Sequence, residues 1–336
     1  MKSAINFFLI LLIGGGLLAQ NPSNRPQAQI TFRVQTDENQ PVAGAKVEVA
    51  TFDHHEPGEL FGTDVNATTA GITDGNGMVT LSMPSLNGNF AYGADERGYY
   101  RTQGDYYNFK RTEGNKWQPW NPTIDLVLKP IVNPIPMYAR QMGELPEALS
   151  APVLNAPVGF DLRAADWVAP YGKGSVGDLI FTVTQSVPFT NANQPFDVTA
   201  TVSFSNTGDG IQSVRAPINK GSELRLPRYA PQDGYQATLM KEVKRPARGQ
   251  PIDSGTQEDQ NYFFRVRTVV DENGKIKSAL YGKIIGDIVV DPFHSKTALI
   301  QFSYCLNPNP NDRNMEFDPK KNLFEQLSPL VQVRAP

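Results

Sequence analysis

An all-β fold of two sandwich domains is what this sequence predicts, and three observations carry it. Glycine and proline are abundant, 28 and 27 among 336 residues, which suits many short strands joined by turns. Apolar side chains alternate with polar ones at Ile30, Phe32 and Val34, and again at Phe196, Val198, Ala200, Val202 and Phe204. That is the period of a strand with one buried face. Glycine turns such as Asp74-Gly75-Asn76-Gly77 and Asn273-Gly274 punctuate these runs, as hairpin connections require. The chain is 40% hydrophobic and 19% charged, so each half can bury a sizeable core, and the length has room for two ordinary domains.

The N-terminus carries Lys2, an apolar run from Phe7 to Ile13, and Gly14-Gly15-Gly16-Leu17-Leu18-Ala19. A short positive region, a brief apolar core and a small residue near its end describe a secretory signal peptide over residues 1–20, cut at Ala19 or Gln20. As a helix, ~15 apolar residues span only ~22 Å, short of the ~30 Å hydrocarbon core, so no stable membrane span is expected after cleavage. The expected location is therefore secreted or periplasmic. A formal net charge of −3 argues against a general nucleic-acid binder, which needs a basic face to displace counterions.

The first domain is expected over residues 29–130. A strand through Ile30, Phe32 and Val34 enters the polar turn Thr36 to Gln40, and the chain leaves through Pro41-Val42 and Gly44-Ala45 into Val47 and Val49. The turn at Thr73 to Gly77 then leads into Val79, Leu81 and Met83, and Gly98-Tyr99-Tyr100 follows. This order of turns resembles the carboxypeptidase regulatory-like family, small sandwiches related to transthyretin and to bacterial Ig-like modules. The resemblance implies an immunoglobulin-like β-sandwich and offers no catalytic residue, because in metallocarboxypeptidases the module is an accessory to the catalytic domain. Beyond it, Asp166 to Gly174 and Asn311-Asp312-Arg313-Asn314 resemble uncharacterised secreted bacterial proteins.

After Gly98 the chain makes a long excursion holding Tyr99, Tyr100, Tyr106, Tyr107, Phe109, Trp117 and Trp120. Exposed flat rings would form a recognition surface for sugars or apolar partners, so Tyr99, Tyr100, Tyr106, Tyr107, Trp117 and Trp120 are the candidate ligand-binding residues. The more ordinary reading is that the rings form the small core such a loop needs to stay ordered. The domain closes on Thr123 to Lys129, with Ile124, Leu126 and Leu128 on one face.

Residues 131–156 read as a connector, because Pro130, Pro134 and Pro136 deny ladder donors. A short helical stretch around Met142 to Leu149 is a weaker expectation. The second domain, an antiparallel sandwich or jelly roll, is expected over residues 157–327. Its strands run through Leu179, Phe181 and Val183; Phe196 to Phe204; Tyr262, Phe264, Val266 and Val270; and Ala298, Ile300, Phe302 and Tyr304. Arg265 and Arg267 fall on the opposite face of the Tyr262 strand, near Lys241, Lys244, Arg245 and Arg248, and read as a solvated outer face or as a basic patch for an anionic glycan.

Catalytic chemistry is sparse. Asp53-His54-His55-Glu56 is the one His and carboxylate cluster, and adjacent strand residues point to opposite faces, so a loop is the simpler account than a zinc site. Asn66-Ala67-Thr68 matches a glycosylation acceptor. The oxygen-rich run Asn307 to Pro319 is explained by turn chemistry without calcium. Cys305 is the single cysteine, read as a small strand residue, and no cofactor or metal is expected. The leading expectation is a non-enzymatic binding or assembly protein of a bacterial envelope, its partner a glycan or an envelope protein. The alternative is a glycan-acting enzyme with carboxylates around Asp161, Asp166 and Trp167, since sandwich folds host paired carboxylates far apart in sequence.

Overall fold

The computed structural model describes residues 25–51, 67–143, 149–185, 193–217, 220–293 and 297–336. The signal segment 1–20, the His54 and His55 cluster, Asn66, His294 and the middle of the Met142 to Leu149 stretch lie outside them. Every element among the described residues is a strand or a turn, and none is an α-helix.

The first run of strands is β1 (Gln27–Gln35), β2 (Lys46–Thr51), β3 (Thr68–Ile72), β4 (Met78–Pro84) and β5 (Asn89–Asp95). Shorter pieces follow: β6 (Tyr99–Tyr100), β7 (Thr102–Gln103), β8 (Tyr107–Asn108), β9 (Arg111–Glu113), β10 (Lys116–Gln118), β11 (Thr123–Val127) and β12 (Lys129–Pro130). The second run is β13 (Ile135–Met142), β14 (Pro157–Asp161), β15 (Asp166–Trp167), β16 (Leu179–Gln185), β17 (Phe196–Ser203) and β18 (Gly210–Arg215). It continues through β19 (Gly221–Ser222), β20 (Thr238–Arg245), β21 (Gln260–Val270), β22 (Ile276–Asp291), β23 (Leu299–Leu306) and β24 (Phe317–Asn322).

In the first sandwich, one sheet has the order β11-β1-β10-β9 with β4 also on β1, and the other has the order β19-β7-β5-β2-β3 with β8 on β5. Ile30, Phe32 and Val34 of β1 and Val47 and Val49 of β2 are buried, as their alternation predicts. Each full burial contributes ~1.5–3 kcal/mol. The turn into β4 is built as the sequence implies. Asp74 Oδ1 accepts the N–H groups of Asn76 and Met78 at 2.9 Å. Gly77 sits at φ +72°, where a Cβ would come within 2.4 Å of the Val34 carbonyl. Leu126 and Leu128 are buried, and β11 pairs parallel with β1.

The second sandwich packs the sheet β15-β14-β16-β17-β20 on the sheet β18-β21-β22-β23-β13-β24. One apolar cluster fills the gap, with Phe160, Phe181, Val202, Phe264, Ile300 and Tyr304 among its buried members. The alternating runs point inward as read except at Val270, which lies beyond a register slip in β21 and outside the core cluster, and β21 and β22 meet in a hairpin closed by Asp271. The Asp271 Oδ1 accepts the N–H groups of Asn273 and Lys275. Of Asn273 and Gly274 only the glycine takes positive φ, at +76°, which is the longer hairpin loop and not a two-residue turn.

Two expectations are corrected. The stretch read as a connector contains β13, hydrogen-bonded antiparallel to β23 and parallel to β24. Its prolines stand at the irregular start, where the pairing with β24 shifts between Ile135 and Met137, so Met137, Ala139 and Met142 can still bury. The outer face of β21 is likewise covered. Residues Ala216, Leu226, Ala230 and Met315 pack over Phe263 and Tyr281, so Arg265 is 8% exposed where a solvated face was expected.

The register of β17 makes a direct prediction. Val202 is fully buried and its neighbours Thr201 and Ser203 are half-buried. Val202→Asp should cost more than ~4 kcal/mol, and Thr201→Asp or Ser203→Asp ~1 kcal/mol or less, measured by thermal and denaturant unfolding.

Candidate functional site

The aromatic excursion folds mainly onto the first core. Phe109 is 6% exposed and packs edge-on against Phe90 at 5.4 Å and Tyr107 at 5.0 Å. The Trp117 indole lies over Gly88, where a Cβ would meet the ring at 3.0 Å, and its Nε1–H donates to the Ser85 carbonyl at 2.8 Å. Tyr99, Tyr107 and Trp117 all pack against the first core. Tyr100 is 8% exposed. Among the six candidate residues only Tyr106, 61% exposed, and Trp120, 37% exposed, count as exposed rings, with Lys116 Nζ 4.7 Å above the Trp120 ring. A row of open rings is therefore not what the segment presents: a loop of this length used its aromatics to order itself.

The carboxylates proposed for glycan chemistry are also committed internally. Asp161 is buried, and its two oxygens accept the backbone N–H groups of Arg163, Ala164, Ser175 and Val176 at 2.9–3.2 Å. Asp178, 1% exposed, accepts the Leu162 N–H at 2.9 Å. Arg267 bridges the two, donating Nε to Asp178 at 2.7 Å and Nη2 to Asp161 at 3.0 Å. Burial pushes the Asp161 carboxyl up, but the four backbone donors outweigh it and hold it below the usual range. At Asp178 burial dominates over Arg267 and the carboxyl lies above it. Asp166 accepts the N–H groups of Trp167 and Lys173. Trp167 is a core residue, 5% exposed, with Nε1–H on the Ser150 carbonyl. A glycosidic acid must reach a substrate oxygen, whereas these groups clamp the loop between β14 and β16 onto β21. Arg267 can reach them because it stands at φ +54°, where β21 slips register between Val266 and Val269, and a slip of this kind re-aims a side chain.

A second cluster ties the same two sheets at another point. Asp287 on β22 accepts the Tyr262 hydroxyl at 2.5 Å and the Ile288 N–H at 2.8 Å on Oδ1. On Oδ2 it accepts Lys241 Nζ at 2.7 Å and the Gln257 N–H at 3.0 Å. Lys241 comes from β20 in the facing sheet, so the supposed basic patch loses a member to the interior. Burial, then the hydrogen bond to Asp287, raises the Tyr262 phenol and keeps it protonated.

The third cluster joins the two sandwiches. Glu316, fully buried, accepts the Tyr100 hydroxyl at 2.8 Å and the Val132 N–H at 2.9 Å on Oε1. Its Oε2 accepts the Asn133 N–H at 2.8 Å and pairs with the Arg228 guanidinium. Arg228 also donates to the Pro130 carbonyl at 2.6 Å. Lys129 Nζ donates to the Leu224 carbonyl at 2.8 Å, and β19 pairs with β7. Burial pushes the Glu316 carboxyl up, but Arg228, the two backbone N–H groups and Tyr100 prevail and lower it below its ordinary value. Behind it Lys283, 1% exposed, donates Nζ to the Met315 carbonyl at 2.6 Å, and burial pushes its amine down. Burial lifts the neighbouring Cys305 thiol to about 11, consistent with a strand residue and not a reactive thiol. In the run from Asn307, side-chain oxygens of Asn307, Asp312 and Asn314 accept backbone N–H groups two residues on, as turn chemistry requires. No sequence signal marks these ties, since their members lie up to 216 residues apart, as Tyr100 and Glu316 do.

No protein-family model matches the chain, and no curated protein matches it. Among solved structures it is similar to the shaft pilin SpaA from Lactobacillus rhamnosus GG, in a point-mutant form, at 10% identity. That match has a TM-score of 0.22 and covers 73% of this chain and 89% of the pilin chain. Overlap of that depth is too shallow to transfer the pilin's fold or its assembly.

The packing separates two aromatic variants. Trp117→Ala should lower stability by ~2–4 kcal/mol, whereas Tyr106→Ala should stay within ~0.5 kcal/mol, read from melting curves. Glu316→Gln should cost ~3–5 kcal/mol by leaving Arg228 without its ion-pair partner. The pH dependence has a definite sign. A carboxyl lowered on folding stabilises above its unfolded pKa, ordinarily 4.5, and that contribution is lost as pH falls through the folded value. Stability should therefore fall more steeply below about pH 4.5 in the wild type than in Glu316→Gln. The raised Asp178 acts in the opposite direction and cancels between the two proteins.

Proposed function

We propose that this chain is a non-catalytic protein exported from a bacterial cell, in which two β-sandwiches act as one stiff unit for binding or assembly at the envelope. The observation that carries the reading is the use made of buried charge. Asp161, Asp178, Asp287 and Glu316 each accept several fixed donors within the fold, and each spans two layers of the molecule. An active site would keep such groups open toward a cleft. The signal-like N-terminus through Ala19 supports export. The first sandwich is compatible with the regulatory-like accessory module that its turns resemble. A glycan ligand is the finer form of the proposal and rests on Tyr106 and Trp120, the two exposed rings of the excursion.

The test is one binding and turnover experiment. The folded chain from residue 20 onward is incubated with peptidoglycan and other insoluble polysaccharides and with washed envelope fractions, and both retention and released sugar are measured. Retention without release is expected. Release by the wild type that a folded Asp166→Asn variant lacks would overturn the reading in favour of an enzyme. Retention lost in a folded Tyr106→Ala/Trp120→Ala variant would make the ligand a glycan, and retention unchanged by it would make the partner a protein. Absence of retention on every fraction would also overturn the proposal.

A further inference from the structure

Among the described residues, nothing covers the outer edge of the strand that ends one sheet of the first sandwich. β3 closes the sheet β19-β7-β5-β2-β3 and pairs with β2 in the register Val47↔Gly71 and Val49↔Thr69. The Thr51 N–H donates to the Ala67 carbonyl and the Thr73 N–H to the Ala45 carbonyl. In an antiparallel ladder hydrogen-bonded residues alternate, so 67, 69, 71 and 73 face β2. The N–H and C=O groups of Thr68, Ala70 and Ile72 therefore point off the edge, and among the described residues none has a partner. The side chains of these same three residues are exposed, Ile72 at 60%.

Three of the other edges, β24, β20 and β18, carry protections that keep sheets apart. β24 holds Pro319, Lys320 and Lys321. β20 is partly covered where Lys244 bridges Asp253, and β18 where Ile211 bridges Gln236. β3, Thr68-Thr69-Ala70-Gly71-Ile72, has no charge and no proline. It is also held in place: a Cβ at Gly71 would come within 2.8 Å of Val79 and Leu81 on β4, so the edge is pre-formed.

We infer that β3 is a self-association edge, whose occupant is β3 of a second copy, antiparallel about a two-fold axis through Ala70. Parity selects this register. The outward groups lie at 68, 70 and 72, so the two-fold makes Thr68↔Ile72, Ala70↔Ala70 and Ile72↔Thr68 the hydrogen-bonded pairs, about six hydrogen bonds in all. Charge permits it. On the exposed face Lys46 neighbours Ile72 and Glu48 neighbours Ala70 within each copy. The two Glu48 rows are then three strand spacings apart, ~14 Å, beyond the screening length of ~8 Å, and each Glu48 is already paired with Lys46. Small Ala70 at the axis lets the backbones close. The inference rests on the fold of the first sandwich and stands whether or not the chain works at an envelope.

A charge exchange at the axis tests it. Sedimentation equilibrium of the folded wild type should show a reversible monomer to dimer transition. Ala70→Lys and Ala70→Glu, both at an exposed position that leaves the β2 ladder intact, should each be monomers with unchanged melting temperature. An equimolar mixture of the two should recover the dimer mass. A wild type that stays monomeric at the highest soluble concentration overturns the inference, and so does a dimer that survives Ala70→Lys.

Discussion

The structure depends first on a carboxylate fully removed from the molecular surface. Glu316 lies where the first sandwich meets the second, and burying its charge costs several kcal/mol unless fixed donors replace the solvent. Four do so, from three different stretches: Tyr100 after β5, the backbone of Val132 and Asn133 between β12 and β13, and Arg228 from the long segment before β20. Satisfying one charge therefore fixes the path of three segments. The chain between the sandwiches is tied at Pro130, Val132 and Asn133 to Arg228 and Glu316.

The second sandwich uses the same device twice. Arg267 with Asp161 and Asp178, and Lys241 with Asp287 and Tyr262, each pin one sheet to the other across an otherwise apolar core. Buried pairs of this kind add little net stability over apolar packing, but losing one partner is expensive. They act as registry marks: Phe160, Phe181, Phe264 and Phe302 could pack in slid arrangements, whereas the pairs close in one.

Much of the architecture was legible in the residues, and the misreadings have one cause. Alternation in β1, β16, β17, β21 and β23 identified the inward faces because each strand reports its own burial pattern. What alternation cannot report is a cover supplied from elsewhere. Arg265 read as a solvated face because Ala216, Leu226, Ala230 and Met315, which pack over that side of β21, carry no regular pattern of their own, and Arg267 because the register slip that turns it toward Asp161 and Asp178 leaves no mark in the alternation. In β13 the prolines spoke louder than Met137 and Ala139, although they occupy only its irregular start. The aromatic segment was ambiguous for a related reason: ring density shows that a loop has a core or a surface, and only the placement of Trp117 over Gly88 decides which. The carboxylates Asp161 and Asp166 suggested glycan chemistry by residue type, and in the fold both accept backbone N–H groups of the loop around them.

The position of β13 in its sheet sets an order on folding. It is the first strand of the second sandwich in the chain, yet its neighbours are β23 and β24, and the Gln141 N–H reaches the Val331 carbonyl. The first sandwich can assemble nearly all its strands once residue 130 has emerged, while the second must hold an early strand in waiting for more than 150 residues. Contacts that distant are slow to form. A chain delivered N-terminus first would thus carry a folded head while β13 waits for β23 and β24, and Glu316, which lies just before β24, would meet Tyr100 and Arg228 only at that stage.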